Sequence, residues 1–216
     1  MNGPTPHDEK FFNAITTGDP KLFAERLARP AWLEARNETG NTPLMVALVF
    51  NRPDFALQII AAGANIHAAG HQQRTPLHFA LTFKQNDVAK VLLHRGADAL
   101  ALSQHGGDAL QTARSVNNME GARLVLGYLP PERLQQEAAY VIRNGDMETL
   151  KFMVEKRGLD LSMPDAEGLT PLDIAKADGS LRVRHYLETR EGMNAAITAA
   201  RGTAKPVAPM KPPRFR

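Results

Sequence analysis

One short pattern returns at a near-constant interval along this chain, and nothing else restricts its fold so strongly. "QRTPLHFALTF" (73–83) restates "NTPLMVALVF" (41–50), which places Thr75 33 residues after Thr42. Asp108 lies 33 further on, in "GGDALQTA", and counting 33 back from Thr42 reaches Glu9 of "EKFFNAITTGD". A shorter step of 28 leads to Gln136 in "QEAAYVIRNGD", and 34 more reach Thr170 in "LTPLDIA". Starts near 9, 42, 75, 108, 136 and 170 define six copies of one unit. A period of this length marks supersecondary units that stack on one another.

Inside each unit the signals are local. A threonine at the helix N-cap accepts a bond from a backbone N–H that otherwise has no partner. Proline suits the next position, where its missing donor is not needed. Leu44, Leu77 and Leu172, with Ala47, Ala80 and Ala175, then point at neighbouring helices, the small alanines allowing close approach. The first helix ends near Gly18, Asn51, Lys84 and Asn117, nine residues after each start. A second helix follows, clearest in "DFALQIIAAGAN" (54–65) and "DVAKVLLHRGAD" (87–98), burying Ile59/Ile60, Leu92/Leu93 and Phe152/Met153. Gly63, Gly96 and Gly158 close these helices where a left-handed residue is favoured. One such pair cannot bury its apolar side alone, so the pairs must stack.

The period, the "TPLHFA" box and the "GAD" or "GAN" after the second helix resemble the ankyrin repeat. The resemblance implies an all-α solenoid of stacked helix-turn-helix units with short loop hairpins, over about residues 7–190. The first unit lacks Thr-Pro at its start, and in the fifth "QEAA" replaces the box. The shortened step removes the hairpin between units four and five, leaving an irregular seam, "YLPPER", at 128–133. Residues 191–216 form a basic, Pro-rich tail with too few apolar groups to fold.

Charge and composition exclude several classes of function. The formal net charge is +3, but residues 201–216 hold five basic residues and no acid, so the rest is slightly acidic, at −2. Nucleic-acid binding would therefore depend on the tail alone. With no cysteine there are no disulfides, thiolate metal sites or cysteine nucleophiles. No apolar run is long enough to span a membrane, and the N-terminus lacks the pattern of a secretory signal. Phosphate loops, nucleophile elbows and zinc helices are absent, so no residue is assigned to catalysis, to a metal or to a cofactor. His67 and His71 are four apart but fall in a loop, with no third ligand at a recognisable spacing. His78, by the resemblance, joins hydrogen bonds between adjacent boxes.

The chain therefore reads as a protein–protein interaction module, an adaptor or an inhibitor that occupies its target. It is expected to be monomeric and cytoplasmic, or exported without a recognisable signal. The alternatives are a non-catalytic subunit of an enzyme complex and a nucleic-acid binder acting through the tail. Two surfaces are candidates for the partner. In the first helices, Leu44 and Leu48 face the core, and Val46/Phe50, Phe79/Phe83, Thr112/Val116 and Tyr140/Asn144 lie on another side. The resemblance puts that side in a concave groove, where Val46, Phe50, Phe79, Phe83 and Tyr140 either receive a partner or pack between units. The loop tips before the first helices add His71, Gln72, Arg74, Gln104 and His105.

Overall fold

The computed structural model describes residues 9–178 and 180–202. The chain divides at Pro130/Pro131 into two compact units. Among the described residues every regular element is helical.

The first unit holds four helix pairs: α1 (Glu9–Thr17) with α2 (Pro20–Leu27), α3 (Pro43–Val49) with α4 (Pro53–Ala61), α5 (Pro76–Thr82) with α6 (Asn86–His94), and α7 (Ala109–Ser115) with α8 (Met119–Leu126). First helices pack on first helices, in the order α1, α3, α5, α7, while α4, α6 and α8 stack behind them. Phe23 of α2 stacks on Phe55 of α4 with centroids 3.9 Å apart, joining the first pair to the second. The core between the layers consists of residues such as Leu44, Leu48, Ile59, Leu77, Leu81 and Leu92, all fully buried.

Capping chemistry places the first helices α3, α5 and α7. Thr42 accepts from the Met45 N–H at 3.5 Å, and Asp108 accepts from the Gln111 N–H at 2.8 Å while Gln111 returns the bond to Asp108 N–H. The helices stop where the backbone turns left-handed: φ is 75° at Gly18, 53° at Asn51, 55° at Lys84 and 52° at Asn117. A non-glycine residue tolerates that conformation at a cost, and Asn least reluctantly. Gly63 and Gly96 close α4 and α6 in the same region.

The second unit pairs α9 (Pro131–Arg143) with α10 (Met147–Glu155), and α11 (Pro171–Ala177) with α12 (Leu181–Gly202). α9 begins at Pro131, five residues ahead of the start read at Gln136. With no loop tip to form first, Pro131 can open the helix directly, where a proline is favoured. The last helix continues past residue 190 to Gly202, so residues 191–202 of the expected tail are helical. The remainder of that tail, 203–216, lies outside the described residues.

Candidate functional site

The loops that precede first helices share one construction. The same residue opens each tip with two backbone bonds, donating in Asn37 N–H to Asn41 O (3.1 Å), Gly70 N–H to Arg74 O, Ser103 N–H to Gly107 O and Asp165 N–H to Leu169 O (each 2.9 Å), and accepting from Gly40, Gln73, Gly106 and Gly168 N–H respectively. Both bonds fall within five residues and no strand flanks them, so among the described residues the expected hairpins are tight turns. Each turn has a left-handed residue just before its closing acceptor: Gly40, Gly106 and Gly168 in three of them. In the remaining tip that place is held by Gln73, with φ of 56°, next to Gln72 at the same φ.

Successive tips of the first unit are tied to one another. Arg36 donates to the Ala69 carbonyl, Asn41 Oδ1 accepts the His71 N–H at 2.9 Å, and Gln104 N–H donates to Gln72 O at 2.8 Å. His71, Gln72, Gln104 and His105 are all solvent-exposed along this row. A shallow depression of about 470 Å³ opens beside it, lined by Ser103, His105, Gln111, Thr112 and Ser115.

His78 locks the third box to the fourth. It is fully buried, and its Nδ1 accepts the Thr75 N–H at 3.2 Å, with the Thr75 hydroxyl 2.8 Å from the same nitrogen. The proton therefore sits on Nε2, which donates to the Gly107 carbonyl at 3.2 Å. Burial, reinforced by the Arg74 charge and opposed by the Gly107 bond and Asp108, holds the imidazole below its ordinary pKa and keeps it neutral.

The stripe along the first helices divides in two. Val46 (3% exposed) and Phe79 (5%) are buried, taking the packing role of the two that the pattern allowed. Their side of the helix is covered because α3 packs on α5 and α5 on α7. Phe50 (50%) and Phe83 (41%), equivalent residues one repeat apart, cap α3 and α5 and are exposed. The helix has ended there, so no neighbouring helix covers the ring. Tyr140 of α9 is also exposed, in the second unit. Arg74 belongs to the tip through its backbone, but its side chain leaves it. Its guanidinium is laid back over the Phe79 ring, 4.7 Å from the centroid, at the last turn of α5.

A row of inter-repeat bonds had no counterpart in the sequence reading. The residue after each left-handed turn reaches back to the end of the preceding first helix: Arg52 to Thr16 O (3.5 Å), Gln85 to Leu48 O (2.6 Å) and Asn118 to Leu81 O (3.0 Å). Positions 52, 85 and 118 keep the 33-residue period, which was the available signal. Their differing side chains hid it.

Among the described residues there is no group of three or more side chains able to hold a metal, and no helix long and apolar enough to cross a membrane. Residues 11–103 match the family model described as ankyrin repeats, in three copies. No curated protein matches the chain.

Proposed function

We propose, from the membership of residues 11–103 in the ankyrin-repeat family, that this chain is a protein-binding module whose partner contacts the first-helix side of the first unit. Ankyrin repeats generally mediate protein–protein interaction, and the domain is typically non-catalytic. The observation that carries the location is the pair Phe50 and Phe83. Both are large, half-exposed aromatics, held at equivalent positions of adjacent repeats on caps that need no aromatic. Thr17 and Val116, which hold the same position in the first and fourth repeats, show that the end of the first helix also forms without an aromatic. Exposed aromatics on a rigid scaffold anchor interfaces because they bury much apolar area at little entropic cost. The tip row of His71, Gln72, Gln104 and His105 supplies the polar rim such a contact needs. An adaptor and an inhibitor that occupies its target would both use this face, as would a non-catalytic subunit docking on an enzyme.

Site-specific photo-crosslinking tests the location. A benzophenone amino acid at position 83 should capture a partner protein in the source cell, whereas the same group at the exposed Lys90 of α6 should not. Equal capture from both positions would move the interface off the first-helix side.

A further inference from the structure

Arg74 stands where Asn41 stands one repeat earlier and Gly107 one repeat later. The fold consumes both of those equivalents. Asn41 accepts the His71 N–H and donates to Thr39 Oγ1 at 3.1 Å, and Gly107 offers its carbonyl to His78. Of these three residues only Arg74 carries a formal charge. Its Nη2 donates to the His78 carbonyl at 3.3 Å and to the Thr82 hydroxyl, both neutral acceptors. Among the described residues it makes no ion pair, and Nε and Nη1 have no protein acceptor. The side chain is only partly exposed, and burial disfavours its charged form. Asp108, in the next box, is engaged as the cap of α7.

A half-buried guanidinium without a counter-charge gives up hydration and gains no ion pair in exchange. Stability alone therefore favours a neutral residue here, as the two equivalents show. What the geometry supplies instead is a prepared donor. The Phe79 ring and two hydrogen bonds fix the guanidinium plane, so little ordering remains to be lost on binding. The Thr82 hydroxyl that receives Nη2 is adjacent in sequence to the exposed Phe83, so charge and aromatic flank the same helix turn.

We propose that Arg74 receives an Asp or Glu side chain of the partner protein, from a segment that also places an apolar side chain against Phe83. This rests on the protein-binding reading above. The carboxylate accepts the unused Nε and Nη1 donors in charge-assisted bonds and neutralises a charge the free protein leaves uncompensated.

Short random peptides displayed inside a carrier protein, with no free carboxy terminus, provide the test. They are selected on the full chain, and the binders are measured on Arg74→Gln, Arg74→Lys and Phe50→Ala/Phe83→Ala proteins verified as folded by thermal melts. Selected peptides should share an Asp or Glu at a constant register from an apolar residue. Their affinity should fall by about tenfold or more on Arg74→Gln and recover in part on Arg74→Lys. Changing the peptide's acid to its amide should weaken binding to the parent protein and have little further effect on Arg74→Gln, the sign of direct coupling. Binders that require Phe83, lack a shared acid and ignore Arg74→Gln would overturn the inference while leaving the binding face intact. No binders at all, or binders indifferent to Phe50→Ala/Phe83→Ala, would overturn the binding face and this inference with it.

Discussion

Replacing Asn118 with alanine isolates the tie between the third and fourth repeats. Asn118 is buried and makes three close bonds, besides a longer one that its Oδ1 accepts from Asn86 Nδ2 at 3.3 Å. Its Oδ1 caps α8 by accepting the Gly121 N–H at 2.9 Å, and its Nδ2 donates to Leu81 O at 3.0 Å and to Asn86 Oδ1 at 2.8 Å. Loss of the cap costs about 1 kcal/mol. Each side-chain bond adds about 0.5–1.5 kcal/mol, and Leu81 O is not left orphaned because it still accepts the Lys84 N–H at 3.2 Å. The predicted cost of Asn118→Ala is thus about 2–4 kcal/mol. Asn118→Asp separates the two contributions, because a carboxylate still caps α8 but cannot donate to Leu81 or Asn86. It should cost at least about 1–3 kcal/mol despite the intact cap. Urea melts followed by far-ultraviolet circular dichroism give the free energies. Hydrogen exchange should show α7 and α8 opening before α3 to α6, since coupling between neighbouring repeats has been cut. An Asn118→Asp protein as stable as the parent would show that the inter-repeat bond contributes nothing beyond the cap.

Gln73→Gly should stabilise the first unit by about 0.5–1 kcal/mol, because Gly40 and Gly106 hold the same left-handed position without strain; a melt unchanged or lowered would refute this. Phe79→Ala should cost about 3–5 kcal/mol as a buried ring is lost, whereas Phe83→Ala should cost less than about 1 kcal/mol, and equal costs would contradict the division of the stripe. Burial holds His78 below its ordinary pKa, so below about pH 6.5 the unfolded chain takes up a proton that the folded one refuses. Its contribution is then complete above that pH and is lost as pH falls through the folded value; melts from pH 7.5 down to 5.5 should decline more steeply for the parent than for His78→Gln. Gly121→Ala should destabilise, since a Cβ there would come 2.5 Å from Asn118 Nδ2 and 2.8 Å from a Leu81 methyl, and a neutral melt would show that those side chains move aside freely.

What this sequence determined by itself is whatever depends on a residue and its near neighbours along the chain. Caps at Thr42, Asp108 and Thr170, prolines opening helices, and left-handed stops at Gly18, Asn51, Lys84 and Asn117 all act within a few residues. Their 33-residue recurrence therefore carried the repeat and its stacking. Tertiary structure decided the points where a second repeat must arrive before a side chain's surroundings exist. Helical angle placed Val46 with Phe50 and Phe79 with Phe83, but only the packing of α3, α5 and α7 covered the first of each pair. The bonds from Arg52, Gln85 and Asn118 likewise required the carbonyls of the preceding helix to be in reach. Arg74 belonged to a loop tip by its number, and the Phe79 ring and the Thr82 hydroxyl drew its long side chain back along α5. A local pattern says which way a side chain leaves its own helix, and the neighbouring repeat settles whether it meets protein or water.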